Sequence, residues 1–357
     1  MRAPRWLASL LLVGVVAAVP ALAVVGGRAY YLTQLTMAAY YSIVLLGLCL
    51  VMGYAGQVSL GHGAFFALGG YTSAILTTVD LSAGHAAAWA LALRRTGILV
   101  LRPSPFGGEL LTATPGAAFV CALLLTFIVA LLIGYPALRL KGHYLAMATL
   151  GFGLIVYRIV LASPLTGGAD GIHGVPAWPL ACGWRISGER ACRVQNYVLA
   201  WTLALLVLGL LRNLVHSRPG RALRAIHDGE MAANAMGVNT AAYKLQAFVL
   251  SALLAAAAGC FLTHYNGGIG PSEASSFKSV RYVALVAAGG MGNPLGVLVI
   301  GTLLEFLSLR GVFGTLDLGV FGLLLILIIA LAPEGPLQAL PAALRRRAAR
   351  RKPHAAA

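Results

Sequence analysis

Charged residues are scarce in this chain: only 10% of its 357 residues are Asp, Glu, Lys or Arg. A soluble domain carries about 25% charged residues. The chain is also 59% hydrophobic, which is more apolar surface than one soluble protein of this size can bury. These figures exclude an ordinary soluble enzyme, a secreted disulfide scaffold and a disordered protein. The composition therefore predicts a membrane protein.

Catalytic and nucleotide-binding motifs are also missing. A Walker A loop requires Gly-Lys followed by Ser or Thr, but the only Lys that precedes Ser or Thr is Lys278, and Phe277 stands before it. The sequence has no His-Glu-x-x-His and no Cys-x-x-Cys, and its eight histidines lack metal-ligand spacing. We therefore expect no enzyme activity, no metal site and no cofactor bound by this chain.

Long apolar runs are abundant. Because a membrane-spanning helix needs roughly 20 apolar residues, the sequence predicts an all-α polytopic protein with about eight to ten transmembrane or re-entrant helices. The predicted spans are 7–25, 35–53, 58–79, 116–135, 143–161, 196–212, 245–264, 280–292, 295–310 and 318–332. The short pair 280–292 and 295–310 is separated by a glycine-rich break, so it forms either two spans or one re-entrant hairpin.

The charge is strongly unequal, with 26 basic and 10 acidic residues and a net charge of +16. In a soluble protein this excess would indicate nucleic acid, whereas membrane proteins concentrate Lys and Arg in cytoplasmic segments. With the N-terminus placed inside, 15 of the 26 basic residues lie on the inner side, including the cluster 345–352. We predict inner termini, no nucleic-acid partner, and contact of the basic tail 336–357 with anionic lipid.

Two features of the outer side and the N-terminus have alternatives. Residues 1–34 form an N-terminal span, but Arg2, Arg5 and Ala21-Leu22-Ala23 also resemble a cleavable signal peptide; we favour a retained span. Cys182 and Cys192 share the outer loop 162–195. A disulfide between them is plausible if the loop faces an oxidising periplasm, and free thiols are the alternative.

The longest polar stretch on the inner side, residues 212–244, contains a short predicted helix. Asp228 is a suitable N-cap, Glu230 suits the positive end of the helix dipole, and Gly237 suits the position after the last turn. Four apolar residues share one face at helical spacing: Met231, Ala232, Ala235 and Met236. A helix this short is unstable alone. It must pack either on its own membrane domain or in a groove of a cytoplasmic partner.

Glu230-Met-Ala-Ala followed by Gly237 resembles the EAA loop of ABC importer permeases, through which the membrane subunit contacts its ATPase. The surrounding stretch, from Gly220 through Leu245, resembles the LivM type in particular, and three further runs agree: 53–71, 138–153 and 166–171. The chain is identified as a member of the LivM-type permeases of branched-chain amino acid ABC importers over about residues 35–335, with residues 80–115 longer than the family pattern. The resemblance implies a set of ATPase-coupling residues: Asp228, Glu230, Met231, Ala232, Ala233, Met236 and Gly237.

Several polar residues in or beside the spans are candidates for a translocation path. Gln57, Ser59 and His62 lie among four glycines between positions 53 and 63, which suggests an interrupted helix whose free backbone groups face a polar pathway. Close helix packing through small residues is the alternative. Asp170 is expected to bond its own turn or, less simply, to contact substrate. Glu305, an intramembrane acid, is a functional candidate and a partner for Arg158. The alternative is a residue near a frayed helix end or in contact with lipid headgroups.

The sequence thus predicts a permease domain over 35–335, with the coupling loop 212–244, in the bacterial inner membrane. The resemblance implies a LivH-like second permease, two cytoplasmic ATPases that bind ATP and Mg, and a periplasmic binding protein. The solute would be a branched-chain or other amino acid. The main alternative is an ion-coupled secondary transporter of small polar solutes, for which Glu305 is the sole acidic candidate.

Overall fold

The computed structural model describes residues 5–80, 94–103, 109–140, 142–180 and 183–312, together with positions 319, 322–323 and 326–327. Most of the predicted span 318–332 and the basic tail 336–357 lie outside these residues, as does Cys182. The predicted disulfide between Cys182 and Cys192 therefore stays a prediction.

Helices make up most of the described chain. Their bounds are α1 Arg5–Val25, α2 Tyr30–Cys49, α3 His62–Thr78, α4 Pro115–Ala137, α5 His143–Ala162, α6 Arg193–His216, α7 Arg218–Asp228, α8 Glu230–Ala235, α9 Thr240–Asn266, α10 Ser276–Gly289 and α11 Pro294–Leu309. A π-helical turn, Leu50–Tyr54, extends α2. Within the residues that the structure describes, five helical stretches are long and apolar enough to cross a membrane: those of α2, α4, α5, α6 and α9. These observations confirm the predicted all-α polytopic membrane fold.

The centre of the fold is formed by α2 and α9. Helix α9 packs against α2, α3 and α4, and α2 also contacts α6 and α11. Small residues allow the close approach of α3 and α9, because Gly69 lies against Ala256 and Gly70 against Gly259. Such contacts are typical of helix packing in membranes. The packing interpretation of the small residues in α3 is therefore correct at these positions.

Helices α10 and α11 form an antiparallel hairpin. Gly289 packs against Val297 next to the break, and Arg281 pairs with Glu305 further along. With 14 and 16 residues, these helices extend about 21 and 24 Å at 1.5 Å per residue, less than a bilayer core of about 30 Å. The predicted pair of short segments is thus observed as two helices joined at residues 290–293.

Short strands occur between the helices. A hairpin that the sequence analysis did not predict, β1 Leu99–Pro103 with β2 Glu109–Ala113, lies in the insertion 80–115. Two further antiparallel pairs have two residues in each strand. They join β3 Ile172–His173 to β6 Gly268–Ile269, and β4 Trp178–Pro179 to β5 Arg185–Ile186. The β3–β6 pair connects the loop after α5 to the end of α9.

Candidate functional site

The predicted interruption before α3 is present. Residues 55–61 are not helical, and Gln57, Ser59 and His62 are 4%, 1% and 1% exposed. The Leu60 N–H donates to Thr149 Oγ1 at 3.0 Å, and His62 Nε2 lies 2.6 Å from Ser251 Oγ. These bonds attach the break to α5 and α9. The break therefore holds buried polar side chains at a fixed place among the helices, while Gly56 and Val58 within it are exposed.

The three polar side chains of this break retain unused hydrogen-bonding capacity. Both amide atoms of Gln57, Ser59 Oγ and His62 Nδ1 are buried without a hydrogen-bond partner. Each buried polar group left unpaired costs about 1–3 kcal/mol. Groups of this kind are suited to contact a polar solute or water that passes between the helices. Transport through this break remains a prediction.

The end of α2 is in direct contact with the turn between α10 and α11. The Tyr54 hydroxyl donates to the Gly292 carbonyl at 2.8 Å, and Cys49 Sγ donates to the Met291 carbonyl at 3.0 Å. A Cβ at Gly53 would overlap the Met291 carbonyl oxygen. The end of α2 and the turn between α10 and α11 are therefore packed backbone to backbone. Nothing in the sequence pattern predicts that these two glycine-rich segments are in contact.

Glu305 is buried, at 1% exposure, but its partner differs from the expected one. Arg281 Nη2 donates to Glu305 Oε2 at 2.9 Å. Arg158 is exposed on α5, so the predicted pair of Glu305 with Arg158 is wrong. The reason is the hairpin of α10 and α11, which places residues 281 and 305 opposite each other.

A second ion pair was not anticipated from the sequence. Lys278 Nζ lies 2.7 Å from Glu273 Oε1, and the Tyr41 hydroxyl donates to the same carboxylate oxygen at 2.9 Å. Glu273 belongs to a 3₁₀ turn, Pro271–Ala274, between α9 and α10. Its neighbours Pro271 and Ser272 are typical of a loop, so local sequence gave no signal for it. The cluster is apparent only in the folded structure, where Tyr41 of α2 lies next to the start of α10.

Asp170 lies apart from these groups in an exposed turn. Its N–H donates to the Gly167 carbonyl at 3.3 Å, and its own carbonyl lies 2.9 Å from His173 Nε2. The turn is thus closed by backbone groups of Gly167 and Asp170 and by the His173 side chain. The role of the Asp170 carboxylate, in its own turn or toward a substrate, stays a prediction.

The short inner helix is present as α8, with a different N-terminus. Asp228 is the last residue of α7, and Gly229 is the N-cap of α8; the predicted N-cap at Asp228 is wrong. The extended backbone of Gly229 separates α7 from α8, so α8 begins one residue later than predicted. The C-terminus agrees with the prediction, since Gly237 has φ +83°. Its N–H donates to Asn234, and the Val238 N–H donates to Ala233, which together form a Schellman motif.

Helix α8 is attached to the start of α9 by polar contacts. Lys244 Nζ lies 2.7 Å from Glu230 Oε1, and the Thr240 hydroxyl donates to Asn234 Oδ1 at 3.1 Å. The Lys244 side chain is only 8% exposed. Ala233 is buried beneath the helix. One face of α8 is therefore held on its own chain, as one of the two sequence interpretations expected.

The opposite face of α8 is open. Met231 and Met236 are 79% and 84% exposed, and Ala232 and Ala235 are exposed as well. Beside this face, an apolar groove of about 430 Å³ runs between α7 and α8. It is lined by Ala225, Asp228, Gly229, Ala232, Ala233, Met236 and Val238. The predicted apolar face thus exists and is accessible.

No group of three or more His, Cys, Asp or Glu residues that could hold a metal ion occurs within the described part of the chain. The helix breaks carry buried hydrogen-bonding groups, and α8 carries an exposed apolar surface. These two kinds of site suit passage of a small polar molecule and attachment of a partner.

Comparison with known proteins gives consistent matches. Residues 30–331 match the family model of the branched-chain amino acid transport system permease component. The chain is 30% identical to the high-affinity branched-chain amino acid transport system permease protein LivM of Salmonella typhimurium, over 85% of this chain and 68% of that protein. LivM of Escherichia coli K12 is 29% identical with the same coverage. LivH of that strain is 24% identical, over 86% of this chain and 96% of that protein.

No solved structure matches the chain significantly. The relatives and the five long apolar helices identify a multi-pass protein of the bacterial inner membrane. Permease components carry solutes and are not themselves enzymes. With its family model matched over residues 30–331, the chain belongs to the family of permease components of branched-chain amino acid transport systems.

Proposed function

We propose that this chain is one of two permease subunits of an ATP-driven ABC importer for branched-chain amino acids. The observation that carries the proposal is α8, which is fixed to α9 through Glu230 and Lys244 while its methionine face stays exposed. A helix that is anchored on one side and apolar on the other is suited to transmit movement between a partner and the membrane domain. The names of the LivM relatives support the class of solute.

The proposed partners supply what the chain lacks. Two cytoplasmic ATPases bind ATP and Mg and dock on the surface formed by Met231, Ala232 and Met236. A LivH-like second permease completes the translocation path, and a periplasmic binding protein delivers the amino acid. The likeness of this chain to LivH supports a pair of related permeases.

Coupling would proceed through α8 and α9. When the ATPases close on ATP, they displace α8, and the Glu230–Lys244 contact transmits this movement to α9. Helix α9 in turn contacts the break before α3 through Ser251 and His62. A shift of α9 therefore changes the surroundings of Gln57, Ser59 and His62, which we propose line the path. Binding and release of solute are then linked to the state of the ATPases.

The energy source distinguishes this proposal from an ion-coupled secondary transporter. Uptake of labelled leucine is measured in cells that lack the gene and in cells that carry it on a plasmid. A protonophore dissipates ion gradients, and arsenate depletes ATP. The proposal expects uptake that depends on the gene, persists with the protonophore while ATP is maintained, and stops with arsenate. Uptake that stops with the protonophore at normal ATP levels would favour the secondary transporter, with Glu305 as its candidate ion-binding residue.

A further inference from the structure

A cluster of polar side chains surrounds the start of α10. Glu273 Oε1 accepts hydrogen bonds from the Tyr41 hydroxyl at 2.9 Å and from Lys278 Nζ at 2.7 Å. Lys278 Nζ also donates to the Tyr41 hydroxyl at 2.9 Å and lies 4.4 Å from the centre of its ring. The cluster thus contains one anion and one cation, held together by one tyrosine.

Part of this cluster has unused hydrogen-bonding groups. Glu273 Oε2 is buried without a hydrogen-bond partner, in contrast to Glu273 Oε1. The hydroxyls of Tyr71 and Tyr282 are also buried without partners, and these side chains are 3% and 0% exposed. The Tyr282 ring lies 6.2 Å from the ring of Tyr41, which bonds to Glu273, and Tyr71 packs in the same core cluster as Ala274, the residue after Glu273. A carboxylate oxygen and two hydroxyls are therefore available to a ligand at one place.

The cluster lies where two helices begin inside the membrane domain. The Gly63 N–H donates to Ser279 Oγ at 3.1 Å, so the first turns of α3 and α10 are adjacent. His62 contacts Ser251, which is near the middle of α9. In transporters, discontinuous helices that begin near the midplane direct their positive N-terminal ends at anionic groups of the substrate. Lys278, in the first turn of α10, adds a full positive charge.

The charges of the cluster select among ligand classes. Glu273 and Lys278 together are neutral, so a ligand with a net charge would leave one buried charge without compensation, which is costly. A zwitterion has a positive group for the carboxylate and a negative group for the ammonium. The unused oxygen of Glu273 fits a donor such as an ammonium group, and a tyrosine hydroxyl can either donate or accept.

We propose that this cluster is a binding site for the zwitterionic head of an α-amino acid. Glu273 and the Tyr71 and Tyr282 hydroxyls bind the ammonium group, while Lys278 and the N-terminal end of α10 bind the carboxylate. The inference rests on the proposed function, since it assumes that an α-amino acid crosses the membrane here. It adds the residues that recognise the substrate, which the sequence analysis did not identify.

The test uses the complete transporter, with both permeases, the ATPases and the binding protein, in proteoliposomes. Initial rates of leucine uptake are measured over a range of leucine-loaded binding protein for wild type, Tyr282→Phe, Tyr71→Phe and Glu273→Gln. Tyr144→Phe and Glu189→Gln, at exposed positions, are the matched controls. We expect uptake by Glu273→Gln to fall at least about tenfold, as for loss of a hydrogen bond to a charged group. The uptake rate of each Tyr→Phe variant at position 71 or 282 should fall about threefold or more, and both controls should retain the wild-type rate.

Thermal stability separates substrate binding from a structural role. Removing a buried hydroxyl that has no partner should leave the melting temperature of the complex unchanged or raise it. Slower uptake by Tyr282→Phe and Tyr71→Phe without loss of stability therefore supports the site. Wild-type uptake rates in all three variants, or slower uptake that merely follows a lower melting temperature, would overturn it.

The wild-type transporter distinguishes the two proposals. If it imports leucine or another α-amino acid while the variants are unaffected, this inference fails and the proposed function stands. If it imports no α-amino acid although ATP, ATPases and binding protein are present, the proposed function fails, and the zwitterion site fails with it.

Discussion

Lys244 Nζ lies 2.7 Å from Glu230 Oε1 and joins the short helix α8 to the first turns of α9. The two residues differ in environment, because the Lys244 side chain is 8% exposed and that of Glu230 is 36% exposed. A buried lysine needs a partner more than an exposed glutamate does. The contact therefore gives Glu230 a positioning role within its own chain, in addition to the ATPase-coupling role that the family resemblance implies.

This positioning role predicts a charge-swap experiment. Glu230→Lys and Lys244→Glu should each weaken the attachment of α8, because each places like charges in contact. Leucine uptake per ATP hydrolysed should fall at least about fivefold in each, the effect of losing about 1 kcal/mol. The double variant restores opposite charges and should recover most of the coupling. If leucine uptake per ATP hydrolysed falls equally in the single and double variants, the contact between residues 230 and 244 is not required for coupling.

The open face of α8 predicts where the ATPases bind. Met231→Ser and Met236→Ser remove exposed apolar surface and should reduce the amount of ATPase that co-purifies. Each should weaken the binding free energy by about 1 kcal/mol or more if the residue lies in the interface core. Met147→Ser, at another exposed methionine on α5, is the matched control and should bind normally. Normal ATPase binding by the double variant Met231→Ser, Met236→Ser would contradict this assignment.

The backbone conformations at the two ends of α8 predict different effects of substituting Gly229 and Gly237. Gly237 has φ +83°, so Gly237→Ala should cost about 1–2 kcal/mol through backbone strain, although a Cβ there would meet no other atom within 4 Å. Gly229 has an extended backbone, with φ −176°, and Gly229→Ala should be tolerated. ATP-coupled uptake and melting temperature of the complex provide the measurement. Equal effects of the two substitutions would argue against the Schellman motif at Gly237.

The contact between the end of α2 and the turn between α10 and α11 predicts that a larger residue at position 53 is destabilising. A Cβ at Gly53 would overlap the Met291 carbonyl oxygen, and overpacking of this kind costs about 1–3 kcal/mol or more. Gly53→Ala should therefore lower the melting temperature of the purified permease. Gly292→Ala lies in the same contact but would place its Cβ in open space, so it should have little effect. An unchanged melting temperature for Gly53→Ala would mean that the end of α2 and the turn between α10 and α11 lie further apart.

The sequence predicted the elements that depend on local composition. Helix α5, His143–Ala162, was predicted as 143–161, because the length of an apolar run largely sets the length of a spanning helix. Gly237 was recognised because its position after the last turn requires a left-handed backbone, which glycine tolerates. The break at Gln57 and Ser59 was recognised from glycines that a plain helix would not contain.

The contacts between distant segments could not be predicted in this way. Hydrophobic runs show which residues prefer lipid or core, but they do not show which helices become neighbours. The pairs Tyr41–Glu273 and Tyr54–Gly292 join positions 232 and 238 residues apart. Arg158 was a reasonable partner for Glu305 by composition alone, and only the hairpin of α10 and α11 selects Arg281.

The most direct test of the account is the ATP dependence of leucine uptake by the purified transporter. Proteoliposomes contain this permease and its second permease, with the ATPases and ATP inside and leucine-loaded binding protein outside. The account predicts accumulation of leucine with ATP, none with ADP, and none when the ATPases are omitted, whatever ion gradient is applied. Accumulation driven by an ion gradient without ATPases would contradict it.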